Sequence, residues 1–195
     1  VDALLLHRPD ALMEPEEIAE AFLRLRREGK VLDFGVSNMN PSMMELIGRH
    51  IDRPIAANQV QLSCAFTPMI DAGFCVNMKW DSSQMRDGSI LEYCHLNHIA
   101  VQAWSVLQYG FFEGVFIGAE QYRRLNEVLD RIATENHVSS AAVAINWVLR
   151  LPLNMQAVVG TTRPERVKDL AHACDFRLSA RDWYEIYLAA GNRIP

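Results

Sequence analysis

Short apolar runs alternate along this chain with longer stretches in which apolar residues return every three or four positions. These are the patterns of buried strands and one-sided helices. Ala3–Leu6 is the first run and ends in His7-Arg8-Pro9-Asp10. Pro15 stands where a first helical turn begins. Ile18, Phe22 and Leu25 then share one helix face before Gly29 and Lys30 close the segment. Val31–Val36 predicts a second strand, stopped by Ser37-Asn38. Asn40-Pro41 opens a helix with Met44 and Ile47 on its apolar side, and Ile55–Leu62 predicts a third strand. From Cys64 to Asp87 the pattern is irregular, with Pro68, Gly73 and the polar run Asp81-Ser82-Ser83-Gln84. Irregular stretches this long in a compact domain are usually functional or mobile.

The alternation resumes with a short helix over Ser89–Asn97 and a fourth strand over Ile99–Val106. A Gly- and Phe-rich loop follows, Tyr109-Gly110-Phe111-Phe112-Glu113-Gly114. Tyr122, Leu125, Leu129 and Ile132 share a helix face, and a second helix from Ser140 to Arg150 turns Val143 and Trp147 inward. Ala157–Gly160 predicts a fifth strand. Thr162-Arg163-Pro164-Glu165 has the Thr-x-x-Glu form of a capping box, and Ser179-Ala180-Arg181-Asp182 repeats that signature before a last helix holding Trp183, Ile186 and Tyr187.

Five strands, each followed by a helix, predict parallel βα units in an α/β fold. The strands read as apolar throughout, as strands buried on both faces should. No Gly-rich fingerprint follows the first strand, so a doubly wound dinucleotide fold loses ground. Polar residues gather where strands end (His7, Ser37-Asn38, Ser63, Ser105, Thr161-Thr162), the edge that carries chemistry in a barrel of βα units. A full eight-unit barrel takes about 250 residues. Five units in 195 residues are therefore read as a barrel of which three units are absent, a single domain over 1–195.

Composition narrows the function classes. Half of the residues are hydrophobic, enough for one core. Lys and Arg number 19 against 24 Asp and Glu, a net charge of -5, and no basic run marks a nucleic-acid partner. No apolar run approaches the roughly 18 residues of a membrane span, and the opening VDALLLHRPD has the wrong flanks for a signal peptide. Cys64, Cys75, Cys94 and Cys174 form no C-x-x-C pair and no metal pattern, which favours reduced, packed thiols in a cytoplasmic protein.

His7-Arg8-Pro9-Asp10 after Leu4-Leu5-Leu6, Gly35-Val36-Ser37-Asn38, Asn58-Gln59-Val60-Gln61, Ala103-Trp104-Ser105-Val106-Leu107 and Gly160-Thr161-Thr162-Arg163-Pro164-Glu165-Arg166-Val167 occur in that order. Together they resemble strands four to eight of the aldo-keto reductases, in particular bacterial predicted oxidoreductases of that family. The resemblance implies a (β/α)8 barrel, NADP(H) as cofactor and a small-molecule carbonyl substrate. It also implies a gap, because the family's catalytic tyrosine, aspartate and lysine lie on earlier strands. The five tyrosines here, at positions 93, 109, 122, 184 and 187, match none of those places. A truncated, non-catalytic nucleotide-binding or regulatory protein of the same fold is the alternative, and some family members act as channel-associated subunits. Self-association, or pairing with a missing N-terminal fragment, is expected of the five-unit chain.

Each candidate residue has a plainer role beside the functional one. His7 can cap a loop; the resemblance makes it catalytic, a neutral imidazole donating one hydrogen bond to a substrate carbonyl. Ser37, Asn38 and Gln59 can cap the following elements, or recognise a nicotinamide carboxamide, which needs a donor and an acceptor. Trp104 is either core or the ring that stacks on the nicotinamide. Ser105, Leu107 and Gly110 would then run along the pyrophosphate. Thr161, Arg163 and Arg166 mark either an ordinary helix start or a site for the 2′-phosphate of NADP. Two departures weaken the adenosine end: Leu170 where the family often has Asn, and Gly160 where many members carry Lys. Met69, Phe74, Met78 and Trp80 are candidates for an apolar substrate pocket.

Overall fold

Each strand lies beside its predecessor in sequence. The computed structural model describes all residues of the chain except Ala11, Arg86, Asp87, Phe112 and Pro195. The far end of the irregular stretch at Asp87 and Phe112 of the Phe-rich loop thus lie outside the described residues. Strands β1 (Ala3–Leu6), β2 (Asp33–Ser37), β3 (Ala57–Gln61), β4 (Ala100–Trp104) and β5 (Met155–Ala157) form one parallel sheet in the order β1-β2-β3-β4-β5. Parallel crossovers are right-handed, so an order that never reverses puts the helices on one side of the sheet. It also lacks the switch point of a doubly wound fold.

The intervening helices are α1 (Pro15–Arg27), α2 (Pro41–Gly48), α3 (Pro68–Phe74), α4 (Ile90–Leu96), α5 (Arg123–Asn136), α6 (Ser140–Leu149), α7 (Pro164–Ala171) and α8 (Ala180–Ala189). Proline stands at the start of α1, α2, α3 and α7, where a missing N–H is harmless and the ring presets φ. Asn40 and Ser139 accept from Met43 and Ala142 N–H groups to cap α2 and α6, and Ser179 does the same for α8 through Asp182.

The core forms two clusters. A small one joins Phe22 of α1 to Val31 and Phe34, with the Phe22 and Phe34 rings stacked at 4.0 Å. The large one packs Val36, Val60, Val101 and Ala103 of the sheet against Met44, Ile47, Leu125, Leu129 and Ile132. The α6 and α8 tryptophans, Trp147 and Trp183, stack at 4.7 Å, and each indole N–H donates to the other's backbone carbonyl at 2.9 Å. Gly35 is needed where it stands, because a Cβ there would meet the Ala57 carbonyl oxygen at 2.7 Å.

Four expectations are corrected. The strands are not apolar on both faces: the face turned away from the helices carries Gln59, Gln102 and Gln156. The fifth strand is Met155–Ala157 rather than Ala157–Gly160. Its partner β4 stops at Trp104, so the ladder ends with Val158 N–H donating to the Ala103 carbonyl. The stretch after Cys64 contains α3, started by Pro68 and buried through Met69, Ile70 and Ala72, and a 3-10 turn at Asp81–Ser83. Finally, α7 is capped by Arg163, not Thr162, because Pro164 takes its first position. The Thr-x-x-Glu spacing is one residue out of register, and Thr161 Oγ1 accepts from Arg163 N–H at 3.2 Å instead.

Candidate active site

The C-terminal ends of β2, β3 and β4 bring four of the candidate residues into one hydrogen-bonded set. Val36 pairs with Asn58 and Ser37 with Gln59, so β2 and β3 end side by side. Ser37 Oγ donates to the Gln59 carbonyl at 2.8 Å, and the Asn38 N–H donates to the same oxygen at 2.9 Å. Asn38 Nδ2 donates to Ser37 Oγ at 2.7 Å, while its Oδ1 accepts from Trp104 Nε1 at 3.3 Å. The backbone turns sharply here: Asn38 and Ser105, each following a strand, both have φ of 54°. That left-handed conformation costs a side chain about 1–3 kcal/mol and gathers at functional sites. Asn tolerates it; Ser105 is steadied by its Oγ donating to Gln108 Oε1 at 2.9 Å.

His7 joins this edge by alternation. Side chains two residues apart share a face, and Leu5 pairs with Gly35, two residues before Ser37. Continued one residue past the end of β1, that alternation would put His7 on the face of Ser37, Gln59 and Trp104; His7 is exposed and has no hydrogen bond to a described residue. Two neighbours were not singled out by sequence reasoning. The Arg8 guanidinium sits 5.9 Å from the Trp104 ring and 5.7 Å from that of Phe111, at cation–π range. Gln61, two residues beyond Gln59 and opposite Trp104, is buried with its Nε2 lacking a partner among the described residues. The signal for Gln61 was its period-two spacing from Gln59; Arg8 offered none beyond its neighbour His7.

From Trp104 a cleft of about 660 Å³ runs past Ser105 and Leu107 to Gly160, Thr161 and Arg166. Val115, Ile117 and Val159 give it apolar walls, and Leu170 and Asp169 line its far end. Arg166 has no ion-pair partner among the described residues. Asp169 nearby accepts from Ser139 Oγ at 2.8 Å. No side chain caps the first turn of α7; Pro164 has no N–H and the Arg166 N–H donates to the Arg163 carbonyl at 3.1 Å, so the Glu165 N–H is the one left without a partner among the described residues. Arg163 and Gly110 do not line the cleft. Arg163 is the exposed cap residue of α7, and the Glu113 carboxylate covers Gly110 where a Cβ would stand.

The predicted apolar substrate pocket is not assembled. Met69 and Phe74 line a groove with Trp183 and Tyr184, between α3, α4 and α8. Trp80 lines another with Tyr187 and Arg193, and Met78 lines neither. Each tyrosine has another partner: Tyr93 donates to Glu45, Tyr109 to the Glu113 carbonyl and Tyr187 to Asp71, while Tyr122 and Tyr184 pack on Tyr109 and Trp183. Burial pushes the Cys64 thiol well up and that of Cys94 up to about 12, so both stay protonated at neutral pH. Among the described residues no acidic, His or Cys cluster suits a metal ion, and no helix is long and apolar enough to cross a membrane.

Sequentially ordered parallel βα units with polar residues at the strands' C-terminal edge are the arrangement of a (β/α)8 barrel, and comparison with known proteins gives the family. The Aldo/keto reductase family model matches residues 1–189, so the chain belongs to that family. It is 32% identical over 197 residues to Oxidoreductase YdhF of Escherichia coli and 33% identical over 195 residues to a 6-dehydroglucose reductase of Agrobacterium fabrum. Both alignments cover 100% of this chain and 59% of the relative, so the chain spans about three-fifths of their length. An aldo-keto reductase of Klebsiella pneumoniae solved with NADPH superposes with a TM-score of 0.71 at 25% identity, over 95% of this chain and 57% of that one. A second Klebsiella pneumoniae structure, with NADP and acetate, reaches 0.74 at 23% identity, over 100% and 62%. The five units are thus a part of the family's barrel.

Proposed function

We propose that these residues belong to an NADPH-dependent oxidoreductase that reduces aldehydes or ketones, and that 1–195 supply five of the eight units of one barrel domain. The carrying observation is the linked set Ser37, Asn38, Gln59 and Trp104 at one end of a cleft whose other end holds Arg166. Its dimensions fall within the range of small-molecule sites. The groups along it suit a nicotinamide dinucleotide. Amides and a hydroxyl sit beside an indole, apolar walls follow, and a free guanidinium stands at a helix start. When bound, that cofactor supplies the hydride.

The protein's own groups do the rest. The Asn38 and Gln59 amides orient the carboxamide, and Trp104 covers one ring face. Ser105 and Leu107 line the path to Arg166 and Thr161, which hold the 2′-phosphate, with Arg163 and Gly110 at its margins. His7 donates a hydrogen bond to the substrate carbonyl. The proton donor belongs to the units outside these residues, so 1–195 alone should turn over no carbonyl.

The test is performed on the full-length protein. NADPH should quench tryptophan fluorescence and be consumed with aldehydes, sugar aldehydes first, given the similarity to a 6-dehydroglucose reductase. His7→Ala should lower kcat by about 10²–10⁴-fold, the usual share of a positioned acid–base group, with NADPH binding kept. Failure to bind NADPH at millimolar concentration, or an unaltered kcat in His7→Ala, refutes the reading.

A further inference from the structure

Gln59 is not alone on its face of the sheet. Gln59 pairs in register with Gln102 of β4, and Gln102 with Gln156 of β5. Their side chains continue the register. Gln59 Nε2 donates to Gln102 Oε1 at 3.0 Å, and Gln102 Nε2 donates to Gln156 Oε1 at 3.0 Å. Three amides on adjacent strands therefore form a ladder with one direction, its acceptor end at Gln59.

That direction has a chemical consequence. With one Nε2–H used on Gln102, the end-for-end orientation of the Gln59 amide is set. Reversing it alone would press Oε1 against Oε1, so the three amides reverse together or not at all. No described residue donates to Gln59 Oε1. The oxygen is left as an open acceptor beside Ser37 and Asn38, whose own groups are tied to each other and to Trp104. Among the described residues the Gln102 side chain hydrogen-bonds to no candidate cofactor residue except Gln59.

We infer that Gln102 is a positioning residue: through the ladder it holds Gln59 with Oε1 presented to the site, so that the site selects an amide N–H donor on the ligand's pyridine ring. This rests on the nicotinamide reading above. It assigns a role to two residues, Gln102 and Gln156, on strands whose alternate positions, Val101, Ala103, Met155 and Ala157, pack on the core.

The full-length protein is titrated with oxidised NADP and with its 3-acetylpyridine analogue, which keeps the carbonyl and loses the NH2 group. The wild type should bind the analogue about fivefold more weakly, the worth of one neutral hydrogen bond. Gln102→Leu should erase that discrimination, because the Gln59 amide is then free to turn. Gln102→Glu should retain it, because a carboxylate still accepts from Gln59 Nε2 and Gln156 can turn to donate. A folded Gln102→Leu that discriminates as well as wild type overturns the inference, as does a wild type that binds both probes equally. If Gln102→Leu does not fold, loss of discrimination in a folded Gln102→Glu overturns it as well. No binding of either probe to wild type defeats the nicotinamide reading itself and the inference with it.

Discussion

Replacing Arg166 by Ala should separate the two nicotinamide dinucleotides. Arg166 lines the far end of the cleft, exposed and without an ion-pair partner among the described residues. Pro164 opens α7 and no side chain caps it, so an arriving phosphate would meet the unpartnered Glu165 N–H as well as the guanidinium. Hydrogen bonds to charged groups contribute about 1.5–3 kcal/mol, and exposure moves the expectation to the lower end because solvent screens the pair. Asp169 in the same cleft opposes the phosphate, although Ser139 holds its Oδ2. An estimate of about 1.5 kcal/mol corresponds to roughly tenfold in affinity. NADPH should therefore bind Arg166→Ala roughly tenfold more weakly, and NADH within about twofold of wild type. Raising ionic strength should narrow the wild-type preference, as screening shortens the reach of exposed charges. Gly160 offers a converse check: a Cβ there meets nothing within 4 Å, so Gly160→Lys fits and should strengthen NADPH. Isothermal titration of both cofactors decides the matter. Equal weakening of NADH and NADPH by Arg166→Ala would show that the arginine serves a general or structural purpose and that the phosphate lies elsewhere.

Asn126 fixes the segment that carries Val115 and Ile117: its Nδ2 donates to the carbonyls of Phe116, Ala119 and Tyr122, and its Oδ1 accepts from Gly118 N–H at 2.9 Å. Asn126→Ala should cost about 1–3 kcal/mol and speed amide exchange at Gly118, an idea abandoned if melting and exchange stay unchanged. Tyr187 is fully buried and donates to Asp71 at 2.5 Å. Burial, then that bond, raises its phenol above the usual range. The protonated phenol is preferred in the folded chain, so this stabilisation is complete below about pH 10 and is lost as pH rises through the raised value. Tyr187→Phe should lower stability by about 1.5–3 kcal/mol at neutral pH and resist alkaline unfolding relative to wild type, read by denaturant titration at pH 7 and above pH 10.

The alternation of runs revealed all five strands in the right order because their outward residues, such as Val36, Val60 and Val101, are large and apolar. Helix starts were readable at Pro15 and Pro41, but not at Pro68, where α3 lies inside the stretch expected to be irregular. Where a capping motif competed with one, at Thr162 and Pro164, the proline decided, since it removes an N–H and leaves the box out of register. Strand ends were less readable, because β5 stops where β4 runs out of backbone, a property of the partner rather than of Val158 or Gly160. The site residues stood out as polar groups after apolar runs. The glutamine face did not, because Gln102 and Gln156 each appear once within an apolar run and only the register aligns them. The position of Arg8 over Trp104 joins β1 to the end of β4, a contact that no local pattern encodes.

The two core clusters give the barrel segment two packing centres. Strand β1, just before His7, leans through Leu6 on Phe22, Val31 and Phe34, whereas the walls of the cleft lean on the large cluster around Leu125 and Trp147. Local opening follows such cooperative units. Leu6, Ile18 and Ile51 pack against both clusters and Arg8 reaches the Trp104 ring, so an opening of the β1 portion is passed on to the cleft rather than confined to its own cluster.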